Sequence, residues 1–137
     1  MGQEQTVKPL SVGLRGEAES KVTSELTAER FGNAGAPVYA TPMLAALMEQ
    51  AAIAAVSQAL QPGQGTVGTR LDISHLAATP VGMSVRAVAT LTEITGKKLV
   101  FAVEAYDDLE KVGQGQHERY IIQTEPFFNK IAAKGKK

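Results

Sequence analysis

Apolar positions along this chain follow two different periods. Residues 41–60, TPMLAALMEQAAIAAVSQAL, carry apolar side chains on nearly every side of a helix, with Glu49 as the single charge near the middle. From Thr66 onward, β-like runs of strand length cover 66–77, 83–94, 98–107 and 111–124. A shorter alternation (Ala18, Ser20, Val22, Ser24, Leu26) predicts a first strand within 12–26. Between it and the helix, FGNAGAPVYA (31–40) is punctuated by glycine and proline and reads as a loop.

Local signals bound these elements. Thr41-Pro42 predicts the helix start, with threonine as N-cap and proline in the first turn, where a missing N–H costs nothing. Pro62-Gly63 ends the helix. Thr95-Gly96-Lys97 and Asp107-Asp108 read as tight hairpin turns. The predicted order is strand, long helix, then four strands in a meander, and the short connections require antiparallel pairing. The class is α+β, with the helix covering one face of a five-stranded antiparallel sheet. Alanines at 45, 46, 51, 52, 54, 55 and 59 allow close approach of a curved sheet. A helix apolar on more than one side also calls for a second cover, which a partner subunit would supply.

Length and composition narrow the classes. A chain of 137 residues makes one domain that buries roughly two thirds of its unfolded surface. Fourteen basic and fourteen acidic residues leave no net field for nucleic acid or an anionic membrane. Lys130, Lys134, Lys136 and Lys137 crowd the C-terminus, read as a solvated, frayed basic tail over 129–137. Residues 1–10 read as a flexible arm without the apolar core of a signal peptide, and 11–128 as the single domain. Glu49, Gln50, Ser57 and Gln58 interrupt the helix too often for a membrane span. The absence of cysteine removes disulfides, thiolate metal sites and a cysteine nucleophile. A soluble cytoplasmic protein is expected.

Candidate chemistry centres on few residues. Glu49 on a solvated helix face would be unremarkable, but the polar face here is thin, and a buried carboxylate gains the basicity a general base needs. Thr41, eight residues earlier, lies roughly 80° away around the helix and about 12 Å along it. The pair can therefore line one cavity without touching. His75 alternates with Val67, Thr69, Leu71, Ile73 and Ala77 on the face assigned to the core. A lone histidine there is commonly structural, and the glutamate on the covering helix adds weight to a catalytic reading. Gly63, Gly65 and Gly68 spell G-x-G-x-x-G but follow a helix and precede a strand, the reverse of a dinucleotide site. A freed N–H at Gly68 would serve an oxyanion. Gly113, Gly115, His117 and Arg119 share one face of the last strand. Arg119 is a candidate partner for phosphate or for an internal carboxylate. A metal held by His75, His117 and a carboxylate matches no established spacing, so no metal or other cofactor is expected.

The segments ATPMLAALMEQAA, GQGTVGTRLDISHLAATPVGMSV and VGQGQHERYII closely resemble the fluoroacetyl-CoA thioesterase family of hot-dog-fold thioesterases, from about residue 38 to 130. The resemblance implies a hot-dog fold and an acyl-CoA thioesterase acting as a homodimer, or a dimer of dimers, with its active site at the subunit interface. It implies catalysis by Thr41, Glu49 and His75, with Gly68 on the oxyanion side and Arg119 as the strand arginine. One departure stands out. The family's segment ahead of the helix is longer and bears a phenylalanine over the acyl pocket, whereas here no phenylalanine follows Phe31 before the helix. A short or medium acyl-CoA is therefore the expected substrate. A hot-dog hydratase and a non-catalytic acyl-CoA-binding module are the alternatives, and thioester turnover separates them.

Overall fold

A computed structural model describes residues 8–136. Strand β1 (Arg15–Lys21) is followed by two short 3-10 turns, Ser24–Leu26 and Ala28–Phe31. Helix α1 (Thr41–Val56) then leads to β2 (Gln64–His75), β3 (Ser84–Thr95), β4 (Lys98–Tyr106), β5 (Lys111–Gln123) and helix α2 (Thr124–Lys134). The expected first strand is therefore only its middle. Its last residues tighten into 3-10 turns, where Leu26 and Arg30 donate backbone bonds to Thr23 and Thr27.

The sheet is five-stranded and antiparallel throughout, in the order β1-β3-β4-β5-β2. The four-strand meander is corrected here: β3, β4 and β5 form one, but β2 pairs with β5 rather than with β3. The connection between β2 and β3 explains this. It does not turn tightly: Thr79 accepts a bond from Tyr39, and Val38 bridges Pro80, so the chain is tied to the loop ahead of α1. Close contact at Gly115 fits β5 to β2, since a side chain there would strike the carbonyl oxygen of Asp72 and the backbone of Ile73.

A β-bulge at Thr69 changes the faces of β2. Gly68 opposes Arg119 and Arg70 opposes Glu118, leaving Thr69 unpaired in the register. Val67 and Thr69 consequently do not share the face of Leu71, Ile73 and His75, as strict alternation predicted. Thr66 and Gly68 do, because the extra residue swaps the parity.

Helix α1 buries Leu44, Leu47, Met48, Ala51, Ala52, Ala55 and Val56 against the sheet. Each fully buried leucine, methionine or valine contributes about 1.5–3 kcal/mol. The closest approach is to β1. A Cβ at Gly16 would collide with the Ala51 carbonyl oxygen and the Ala55 backbone nitrogen. Ala51 and Ala55 are thus the alanines that let strand and helix backbones meet. The opposite side of α1 is apolar too, but Ile53 and Ala54 are exposed there.

The C-terminal expectation changes as well. Lys130 and Lys134 belong to α2, not to a frayed tail, although no residue of that helix is buried. At the other end, Lys8 donates a backbone bond to Gln58 and Leu10 packs on the core, so positions 8–10 of the supposed arm are anchored. Residues 1–7 and Lys137 lie outside the described residues.

Gly16→Ala should destabilise the fold by about 1–3 kcal/mol, because the added methyl must push two backbones apart. Chemical denaturation checks this, and an unchanged midpoint would mean that the helix moves freely on β1.

Candidate active site

Two polar groups lie along α1, one at its start and one near its middle. The first begins at the helix start. Ala40 accepts backbone bonds from Met43 and Leu44, and is therefore the N-cap in place of the predicted Thr41. Thr41 stands one residue inside the helix with its hydroxyl uncommitted to capping. That hydroxyl meets Nδ1 of His75 at 2.7 Å. His75 is the last residue of β2, and burial lowers its pKa from the ordinary 6.5, so the ring favours its neutral form. Its Nε2 is buried and meets no hydrogen-bond partner among the described residues. A buried polar atom left in that state costs about 1–3 kcal/mol, so the position is set for an incoming partner. A cavity of about 290 Å³ opens beside the pair, lined by Ala28, Val38, Tyr39 and Ala77 among others.

The second group surrounds Glu49. Its carboxylate lies 3.7 Å from Nη1 of Arg119, with 43% of its side chain exposed. Contrary to the expectation from the sequence, Glu49 is thus not deeply buried in the single chain. Arg119 is 4% exposed and held on several sides. Its Nε donates to Thr66 Oγ1 at 2.8 Å, its Nη2 to the Thr66 carbonyl at 3.0 Å, and its Nη1 lies 3.1 Å from His117 Nε2. His117 is 1% exposed, and its Nδ1 lies 2.8 Å from the Arg70 carbonyl oxygen. Gly68 lies over this cluster: an added Cβ would come within 3.2 Å of both Arg119 and His117, and 3.5 Å of Glu49. A groove of about 580 Å³, lined by Ile53, Ser57, Leu60 and Thr66 among others, runs from the end of α1 to the start of β2.

Of the five residues singled out in the sequence, the chain thus joins Thr41 to His75, and Glu49 to Arg119 beside Gly68. It does not join the two sets. Thr41 and Glu49 are separated by about 12 Å of helix. Gly68 and His75 lie seven residues apart on one strand, roughly 20 Å. Within one chain the Thr41 hydroxyl contacts the imidazole of His75 and not the Glu49 carboxylate. His75 and His117 also point to different places, and among the described residues no cluster of three or more histidine or acidic groups could hold a metal. Thr66 was missed in the sequence and gave no signal there, while His117 stood out only as a weak candidate metal ligand and by sharing a strand face with Arg119.

The pKa of His117 lies below the usual 6.5, chiefly through burial and also through the charge of Arg119. The Arg70 carbonyl, Glu49 and Glu118 push it back up. The unfolded chain therefore takes up this proton first as the pH drops. Stability from this group is fully present above about pH 6.5 and is lost as the pH falls through the lowered folded value. Denaturant unfolding between pH 7.5 and 5 should show this decline in the parent and a shallower one in His117→Gln. Equal slopes would mean that His117 does not titrate differently on folding.

Known proteins can be set beside this geometry. The family described as fluoroacetyl-CoA-specific thioesterase (FlK) matches residues 22–125. The fluoroacetyl-CoA thioesterase of Streptantibioticus cattleyicolor is 39% identical over 97 residues, 71% of this chain and 70% of that protein. A solved structure of the fluoroacetyl-CoA thioesterase FlK superimposes with a TM-score of 0.86 at 32% identity, covering 94% of this chain and all of the other. A Thermus thermophilus thioesterase superfamily member matches with a TM-score of 0.83 at 30% identity, over 93% of this chain and 97% of its own. Sequence and curled-sheet topology agree, and the chain belongs to the fluoroacetyl-CoA-specific thioesterase family, with the hot-dog fold.

Proposed function

We propose that this protein is an acyl-CoA thioesterase that works as a cytoplasmic homodimer, with each active site composed of Glu49 from one chain and the Thr41–His75 pair from the other. The observation that carries this reading is the buried, unpartnered Nε2 of His75, held in place by Thr41 and out of reach of Glu49 on the same chain. Edge strand β2 carries Gly68 near one end and His75 at the other. A two-fold pairing of antiparallel β2 edges would bring the Glu49 end of one chain onto the His75 end of its partner. It would also cover the exposed apolar side of α1.

In such a site the thioester carbonyl sits between carboxylate and imidazole. Glu49 either attacks the carbonyl carbon, forming an anhydride that water then opens, or takes a proton from water so that the hydroxide attacks. In both routes CoA leaves as a thiolate and takes up a proton that the attacking water supplies, relayed by Glu49 or by His75. After a single turnover in ¹⁸O-water, label in Glu49 would establish carboxylate attack with water opening the anhydride at the Glu49 carbonyl, since general-base catalysis never labels the enzyme. Gly68 is the candidate for the N–H that meets the carbonyl oxygen.

Glu49→Gln and His75→Ala should each lower turnover about 10²-fold or more with only a small change in melting temperature. Co-expressed, the two inactive chains form a heterodimer with one intact site, so a randomly mixed pool should recover about a quarter of parental activity. A pool that contains heterodimers but recovers nothing would refute the shared site. Near-native rates in both single variants would refute the assignment of the residues.

The cavity beside His75 is lined by Val38 and Tyr39 from the loop ahead of α1 and by Leu76, Ala77 and Ala78 after β2, while Phe31 is about half exposed and not part of the lining. Fluoroacetyl-CoA should therefore show no large advantage over acetyl-CoA, and butyryl-CoA should be accepted at least as well. One methylene in an apolar pocket is worth only about 1–3 kcal/mol. Comparing kcat/KM for the three thioesters tests this, and a preference of several orders of magnitude for the fluorinated substrate would overturn it.

A further inference from the structure

Arg119 is restrained more completely than an ordinary ion pair needs. Thr66 takes two of its N–H groups and His117 Nε2 takes a third, leaving the other Nη1–H toward Glu49. His117 itself has no choice of state. The Arg70 carbonyl can only accept, so Nδ1 must carry the proton. The guanidinium can only donate, so Nε2 must be bare. Both ring nitrogens are thus assigned by their partners, in a pocket closed by the tilted ring of Phe101. The Thr69 bulge accompanies this arrangement, since Arg70 is the first residue paired after it and supplies the accepting carbonyl.

We propose that His117 is a positioning residue, whose neutral ring, protonated on Nδ1, fixes the guanidinium of Arg119 and through it the reactive carboxylate of Glu49. This rests on the reading above that Glu49 acts on the thioester. The imidazole touches neither substrate nor reacting atoms. It converts a flexible arginine into a rigid donor aimed at one carboxylate oxygen. A buried histidine serving packing alone would need neither nitrogen in a defined state.

The test uses two variants that each keep half of the imidazole. The amide of Gln reaches the place of Nε2 and offers an oxygen to Arg119. The amide of Asn is one bond shorter, reaches the place of Nδ1 and keeps only the bond to Arg70. His117→Asn should lose about tenfold or more in kcat with little change in KM, while His117→Gln should rescue most of that loss. If both fold and the Asn variant is as active as the Gln variant, the proposal is overturned. ¹⁵N NMR of the parent supplies a measurement independent of turnover. His117 should show a bare Nε2 and a protonated Nδ1 at pH 7, and the Arg119 side-chain resonances should shift in His117→Asn far more than in His117→Gln. A ring protonated on Nε2 would refute the proposal even if neither variant folds. If the parent hydrolyses no acyl-CoA, the proposed function fails instead, and the spectra still decide whether His117 sets Arg119.

Discussion

The contact between the backbones of α1 and β1 is the constraint on which the remaining architecture depends. At Gly16 strand and helix meet with no side chain between them, and Ala51 and Ala55 are small enough to permit it. This places the helix over one part of the sheet, with Leu44, Met48, Leu91, Leu99 and Phe101 filling the interior. Because the helix cannot rise from the sheet, Glu49 and Thr41 have fixed heights above it. Gly113 repeats the device on β5, where a side chain would run into Leu44 and Met48. Small residues thus set the distances on which the polar groups rely.

Much of this was legible in the residues. The long apolar helix and the turns after β3 and β4 are local events, decided within a few residues of chain, although the helix ends at Val56, short of the Pro62-Gly63 stop expected for it. What escaped was nonlocal. The position of β2 beyond β5 follows from a connection tied to a distant loop, and a bulge shows itself only when a partner strand is in place. Thr41 misled for a local reason: threonine before proline carries the same signal whether it caps the helix or follows an alanine whose carbonyl already does so. Helix α2 escaped because TEPFFNKIAAK buries no residue, so no core contact enforces a readable period.

The candidate site was legible as a set of polar residues but not as an arrangement. Glu49, His75, Arg119 and Gly68 are all chemically notable in the sequence, and the structure places them in two groups rather than one. The division is a consequence of helix geometry. Eight residues on a straight helix cannot be shortened, so one helix presents both polar ends without bringing them together. His117 illustrates the limit of reading single residues. Its place on a strand is ordinary, and only the carbonyl on one side with the guanidinium on the other gives its ring a defined state.

The loop ahead of α1 carries a consequence for how such a protein can change. Backbone bonds from Ala28 to Val38 and from Glu29 to Ala36 close its base, while Asn33 to Gly35 form a tip outside the core. Lengthening a closed loop is thermodynamically gentle, about 0.6 kcal/mol for each doubling. The tip is thus a place where residues can be inserted or exchanged while the helix start and Thr41 stay where they are. Variation at that tip and the backbone that holds Thr41 therefore belong to separate stretches of chain, so one can change without disturbing the other.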